Sequence, residues 1–259
     1  MDTNTKRLGS AAALVATSIL LAGLAAGAAS AVVVPGTPAK DVHVGLDNDT
    51  RSNTFIQPPG VTARQDMDRT DVVFGRGNDD LLVGNRGSDT LLGGPGSDIL
   101  VGGPDHGATP SSDVLDGDLG DDVGIWSPGD GNDVFVGYDG TDTMILGDLA
   151  TTAGGTLRLT KQLGREVPHV TVDGLPHDGC DLVPVPESEH LGVQYLVRFT
   201  VDGVITSTIR LKDVERVLCP SPNAGHGLLA TLTDPHPGFH DVDLGTLAGL
   251  TRAIVGPQG

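Results

Sequence analysis

Along the middle of the chain, large apolar residues return once every nine positions, as Val73, Leu82, Leu91 and Leu100. Gly75, Gly84, Gly93 and Gly102 keep the same interval, and so do Asp71, Asp80, Asp89 and Asp98. Three columns in one phase mark a structural repeat rather than chance in a glycine-rich chain. Within each unit the six glycine-rich positions can only turn, and the three positions around one inward aliphatic can only make a short strand. Two units then make one turn of a right-handed parallel coil, and equivalent residues two units apart stack at about 4.8 Å, the strand spacing of a sheet. Asp71 and Asp89 are expected on one edge of that coil, Asp80 and Asp98 on the other. After an interruption over residues 104–112 the pattern resumes with two further pairs, Asp113 with Asp122 and Asp133 with Asp142. Leu115, Phe135 and Met144 continue the apolar column, and Gly124 breaks it once.

Farther along the chain the period changes to two. Val193, Tyr195, Val197, Phe199 and Val201 alternate with polar positions, Asp202-Gly203 supplies a two-residue hairpin turn, and residues 204–211 return. Val170-Thr171-Val172 and residues 214–219 read as further strands. The expected fold class is therefore all-β, a parallel β-roll followed by a small antiparallel β-domain. The expected divisions are 1–31, a secretory signal; 32–66, a linker or cap; 67–149, the roll; and 150–259, the C-terminal β-domain.

The chain has 259 residues, 34 acidic and 16 basic side chains, a formal charge of −18 and 38 glycines. That balance argues against nucleic acid as a partner and against a polybasic membrane anchor, both of which need a clustered positive face. Aromatics are only 3% of residues, too few for base-stacking platforms. The acidity is not spread evenly: residues 66–148 hold 18 Asp, no Glu, three Arg and no Lys, which places −15 of the −18 in the repeat. Turn chemistry explains any single Asp-Gly pair, but not Asp recurring at one phase. Stacked carboxylates repel, and a cation between successive turns converts that repulsion into cohesion. Carboxylates and turn carbonyls are hard oxygen donors in flexible loops, which suits Ca2+ better than Mg2+ or Zn2+.

The unit Gly93-Gly94-Pro95-Gly96-Ser97-Asp98-Ile99-Leu100-Val101 fits Gly-Gly-x-Gly-x-Asp-x-U-x, where U is a large aliphatic. It resembles the RTX (repeats-in-toxin), haemolysin-type calcium-binding family. The preceding unit, from Gly84, matches with Asn85 second; the unit from Gly75 departs further, with Arg76 second and Asn78 fourth. Residues 129–144 return to the pattern. The resemblance implies several Ca2+ ions held by sixth-position Asp carboxylates of same-edge turns together with backbone carbonyls. Carried onto this chain, it implies Asp80, Asp89 and Asp98 as ligands, with carbonyls of Gly84, Arg86, Gly87, Gly93, Pro95 and Gly96. Asp122, Asp133 and Asp142 follow in the second block. Asp71 and Asp113 complete the phased set, with the register across residues 104–112 left open.

Lys6 and Arg7 precede an uncharged stretch, residues 8–28, that ends in Ala29-Ser30-Ala31, a small-residue cleavage pattern. The stretch is diluted by Gly, Ser and Thr, so the expectation is a cleaved signal and a secreted product rather than transmembrane insertion. Cys180 and Cys219 are the only thiols, and an oxidising compartment favours their pairing as a disulfide. No catalytic constellation is expected. An EF-hand reading of Asp116-Gly117-Asp118 lacks the loop glycine and the closing Glu. His236 and His240 are separated by Pro237 and Gly238, which is unlike a helical metal motif. The region between signal and repeats is short for an enzyme. A cell-surface or glycan partner, and a hydrolase within residues 150–259, remain the alternatives to a calcium-binding protein without catalysis.

Overall fold

The computed structural model describes residues 32–34, 36, 38, 42–44, 71–84, 87–103, 112–149, 159–162, 165–168, 170–171, 178–189 and 192–247. The expected signal, residues 1–31, lies outside them. Residues 32–66 supply β1 (Val32–Val34) and β2 (Val42–Val44), and the repeat region supplies β3 (Asp71–Phe74), β4 (Leu81–Val83), β5 (Thr90–Leu92), β6 (Ile99–Val101), β7 (Val114–Leu119), β8 (Val123–Trp126), β9 (Val134–Asp139) and β10 (Thr143–Leu146). Short strands β11 (Asp148–Leu149), β12 (Leu159–Gln162), β13 (Arg165–Pro168) and β14 (Val170–Thr171) follow. The remaining strands are β15 (Asp178–Pro184), β16 (Tyr195–Val201), β17 (Val204–Lys212), β18 (Arg216–Pro220), β19 (His226–Thr231) and β20 (His240–Asp243).

Consecutive units alternate between two sheets, as a coil of turn-strand-turn-strand units must. One sheet has the order β1-β3-β5-β7-β9-β17-β16-β15, and the other β2-β4-β6-β8-β10-β18-β19-β20. Pairing is parallel from β1 and β2 as far as β17 and β18, and antiparallel beyond. The parallel roll thus hands both of its sheets directly to the later antiparallel strands. Hydrogen bonding continues across the change in strand direction.

The first turn keeps the expected register, with Val73 opposite Leu91 and Leu82 opposite Leu100. The next turn pairs Leu91 with Leu115 and Leu100 with Gly124, so the strands on either side of residues 104–112 stay in phase. The third pairs Leu115 with Phe135 and Gly124 with Met144. Strand pairing preserves the inward phase because a slip of one residue would turn every aliphatic outward. Between the sheets, Val73, Leu82, Leu91, Leu100, Leu115, Phe135 and Met144 form one buried cluster that extends through Val197, Phe199, Leu211 and Val217 to Leu232. The break at Gly124 has a packing cause: a Cβ there would lie 3.1 Å from the Phe135 ring and 3.0 Å from Met144 Sδ. The larger side chain of the opposite sheet takes the space. Trp126 adds its ring to that of Phe199, 4.9 Å away, and donates its indole N–H to Gly131 O.

The two sheets are unequal. In the first, residues flanking the inward aliphatic are half-exposed, as at Val72 and Phe74. In the second, β4 and β6 are buried throughout, and Leu81, Val83, Ile99, Val101, Ile125, Ile145 and Leu218 form a separate apolar cluster with Leu244 on its other face. Leu81-Leu82-Val83 and Ile99-Leu100-Val101 are near-continuous apolar runs, as suits a strand covered on both faces.

The hairpin at Asp202-Gly203 forms as its sequence requires, both residues having positive φ (48° and 78°) between β16 and β17. Cys180 and Cys219 form a disulfide that joins β15, the last strand of one sheet, to β18 in the other. Among the described residues no helix is long and apolar enough to cross a membrane.

Candidate metal centre

From β3 to β10 an Asp stands at the start of each strand or immediately before it, so parallel pairing stacks these side chains in two columns. On one edge Asp71 N–H donates to Asp89 Oδ1 (2.7 Å), Asp89 N–H to Asp113 Oδ1 (2.7 Å) and Asp113 N–H to Asp133 Oδ1 (2.9 Å). On the other, Asp80 N–H donates to Asp98 Oδ1 (2.6 Å), Asp98 N–H to Asp122 Oδ1 (2.7 Å) and Asp122 N–H to Asp142 Oδ1 (2.9 Å). Asp89, Asp98, Asp113, Asp122, Asp133 and Asp142 therefore each spend one oxygen on holding the strand of the turn before. All eight are buried, none more than 1% exposed. The link between Asp89 and Asp113, open at the level of sequence, is made across the long turn.

The second oxygen lies against the first glycine of its own unit. A Cβ built on Gly75, Gly84, Gly93, Gly102, Gly117 or Gly137 would stand 2.3 to 2.7 Å from Oδ2 of Asp80, Asp89, Asp98, Asp113, Asp122 or Asp142 respectively. At Gly75 the same point is 2.5 Å from Gly93 O, at Gly84 it is 2.6 Å from Gly102 O, and at Gly93 it is 2.9 Å from Gly117 O. The absent side chain leaves a cradle in which a carboxylate oxygen and a carbonyl of the next turn converge. Oδ2 of Asp122 and of Asp142 has no hydrogen-bond partner there. A buried anionic oxygen without a donor is costly, and a cation is the simplest remedy.

The second position of the turn asks for left-handed backbone. It is filled by Gly94 (φ 91°), and also by Arg76 (82°), Asp118 (75°) and Tyr138 (71°). Arg76 thus takes the conformation expected of a glycine, and Asn78 does so at 65°. The strain of a non-glycine residue there is borne by the strand pairing on either side.

Electrostatics reflect the crowding. Burial first, and then the charges of Asp98, Asp142 and Asp118, push Asp122 up to about 8, against the hydrogen bond from Asp98 that lowers it. Asp142 rises to about 6 through burial, with Glu215 and Asp121 adding to it and the hydrogen bond from Asp122 and the charge of Arg216 opposing it. Asp116, on β7, rises to about 6 through burial and the neighbouring Asp118, with Lys212 opposing. These sites hold negative charge only at a cost that a divalent cation removes. The donor set fits calcium: oxygen only, part carboxylate and part carbonyl. Among the described residues no three Asp, Glu, His or Cys side chains gather at one point, so any such site relies on main-chain oxygens for most of its ligands.

Of the carbonyl donors expected from the sequence, Gly93 O faces the Gly75 cradle and also accepts from Arg76 N–H at 2.9 Å. Gly84, Gly87, Pro95 and Gly96 lie in the turns that carry the Asp columns, whereas Arg86 lies outside the described residues. Two acidic residues in the same surroundings escape the ninefold phase. Asp130 is buried, accepts from Ser127 N–H at 2.7 Å, and has its other oxygen 2.4 Å from the place of a Gly103 Cβ. Glu215 accepts from Asp142 N–H at 2.7 Å although 73 residues separate them. No local pattern marks either. His240 opens β20, and among the described residues no group of three or more metal-ligating side chains includes it or His236. Asp241 instead accepts from Ser221 and Asn223 and contacts His226 Nδ1 at 3.0 Å, while Asp243 caps the 3-10 turn Leu244–Thr246. These bonds hold Asp241 below the usual carboxylate range, the Ser221 hydroxyl first.

No curated protein matches the chain. The family model described as RTX calcium-binding nonapeptide repeat matches in four copies, over residues 71–107 and 129–150. The matched residues include Asp71, Asp80, Asp89, Asp98, Asp133 and Asp142 of the two edges, while Asp113 and Asp122 fall in the interval between the two matches. The segment from 71 to 150 is thus an array of RTX calcium-binding nonapeptide repeats, wound into a β-roll.

Proposed function

We propose that this protein is exported and that its roll is a calcium-dependent folding unit, with Ca2+ held along both edges by Asp71, Asp80, Asp89, Asp98, Asp113, Asp122, Asp133 and Asp142. Turn carbonyls of Gly84, Arg86, Gly87, Gly93, Pro95 and Gly96 supply further oxygens. The observation that carries this reading is the stack of buried carboxylates whose second oxygens converge with next-turn carbonyls beside side-chain-free glycines. When bound, calcium supplies positive charge between turns that otherwise repel. The chain's own part is to present oxygens at strand spacing and to exclude water from one side with the aliphatic column. Without the ion, the segment is an acidic, glycine-rich chain poorly able to offset its ordering entropy. Affinity is expected at about 10⁻⁴ to 10⁻³ M, the range of extracellular calcium modules. Repeats of this family, the Cys180–Cys219 disulfide and the leader-like N-terminus all fit an extracellular setting, where such concentrations occur. Circular dichroism in EDTA, then in millimolar calcium, tests the reading, with a large gain in β signal expected. An unchanged spectrum together with no calcium uptake by calorimetry overturns it.

A second reading, calcium-dependent attachment to a cell-surface or glycan partner, is favoured by one feature. A cavity of about 520 Å³ is lined by Tyr195, Gln194, Glu187, Asp213 and Glu215 together with apolar residues such as Leu211 and Leu232. Loss of calcium-dependent binding to cells on Tyr195→Ala supports it, and absence of any such binding by the intact protein removes it.

A further inference from the structure

The two Asp columns end differently. On one edge the residue in register with Asp133 is Ile209, fully buried and apolar, because Arg210 pairs with Val134. On the other edge Thr143 pairs with Arg216, which places Glu215 at the position of the next Asp. Glu215 Oε2 accepts from Asp142 N–H at 2.7 Å, as Asp142 Oδ1 accepts from Asp122 N–H at 2.9 Å and Asp122 Oδ1 from Asp98 N–H at 2.7 Å. The main chain repeats the match: Arg216 N–H donates to Asp142 O as Thr143 N–H donates to Asp122 O. The carbonyl is reproduced as well. At Gly137 the place of a Cβ is 2.1 Å from Asp213 O and 2.3 Å from Asp142 Oδ2, where earlier cradles pair an Asp Oδ2 with Gly93 O, Gly102 O or Gly117 O.

We infer that the loop between β17 and β18 substitutes for one more nonapeptide turn, and that Glu215, Asp142 and the carbonyl of Asp213 form an additional calcium site joining the roll to the strands that follow it. In the repeat, five positions separate the glycine from its Asp; here Asp213 and Glu215 are two apart, and the longer Glu side chain compensates for the shorter turn. An independent mark of the site is Asp142 Oδ2, which is buried, faces the Gly137 cradle and has no hydrogen-bond partner. Asp213 and Glu215 also line a cavity on that side of the site. Arg216 does not fill the role of the cation: its Nη2 is directed to Thr141 O at 3.2 Å. Two carboxylates against one guanidinium leave the site negative. This inference rests on the calcium reading of the roll.

The test compares calcium stoichiometry and affinity of the full chain with those of Glu215→Gln, by native mass spectrometry and calorimetry. Gln keeps an oxygen to accept from Asp142 N–H, so it removes the charged ligand and spares the strand contact. One ion fewer, or at least a tenfold weakening of one site, is expected, with an unchanged circular dichroism spectrum in saturating calcium. Equal stoichiometry and affinities in the two proteins overturn the inference and leave the calcium reading intact. Absence of calcium binding by the unaltered protein overturns that reading itself. If Glu215→Gln does not fold, anomalous scattering from a calcium-bound crystal of the unaltered protein decides: a peak between Asp142 and Glu215 supports the site, and peaks confined to the Asp pairs of the repeats overturn it.

Discussion

At Asp122 two demands meet in one side chain. Its Oδ1 holds the Asp98 strand, while its buried Oδ2 has no donor and the charge of Asp142 close by. The group therefore binds a proton in the ion-free fold up to about pH 8, against about 4 in an unfolded chain. Between those values the folded state holds more protons than the unfolded one, so stability of the ion-free roll falls as pH rises from about 4 to about 8. Circular dichroism in EDTA is expected to show more residual β signal at pH 5 than at pH 8. Calcium competes with the same proton, so its affinity rises over that window, which calorimetry at the two pH values measures. Asp122→Asn separates the two effects: it keeps an acceptor for Asp98 N–H, raises the residual β signal in EDTA at pH 8, and weakens calcium binding by at least about 10-fold. The glycines carry a complementary prediction. Gly84→Ala sets a Cβ 2.5 Å from Asp89 Oδ2 and 2.6 Å from Gly102 O, an overpacking that costs about 1 to 3 kcal/mol, read from denaturant melts in calcium.

Among the elements, the turns tolerate more variety than the nonapeptide pattern suggests. Arg76 and Tyr138 occupy the left-handed second position that Gly94 fills at ease, because parallel pairing on both sides fixes the path whatever the side chain. Relief of that strain is expected in Arg76→Gly, stabilising the roll by up to about 1 kcal/mol, and a lower melting point in that variant contradicts the account. The strand phase was legible from the sequence because a three-residue strand exposes its aliphatic and its Asp at fixed offsets. The second apolar cluster was less so: Leu81, Val83, Ile99 and Val101 flank the inward position, and nothing local states that the far face of their sheet is covered. Gly124 likewise reads as a lapse until Phe135, from the opposite sheet, is found beside it.

For the molecule as a whole, the junction between roll and later strands matters most. β17 and β18 continue the two sheets in parallel before the pairing reverses, and the disulfide Cys180–Cys219 ties the outer part of one sheet to the other. That bridge closes a loop across a sequence separation of 39, which the loop-entropy account values at about 3 to 5 kcal/mol. Cys180→Ser with Cys219→Ser is expected to lower stability by roughly that amount while leaving calcium stoichiometry unchanged. By itself the sequence determined the period, the inward column and the two Asp edges, since each repeats locally and the backbone hydrogen-bonding rules admit one way to stack it. Only the tertiary structure decided that the turn interrupted at 104–112 keeps its register, that Asp130 is buried, and that Glu215 follows Asp142 at the end of one column while Ile209 closes the other. Those outcomes depend on which distant strands pair. Pairing between residues 73 positions apart is set by the fit of whole sheets and leaves no periodic trace in the chain.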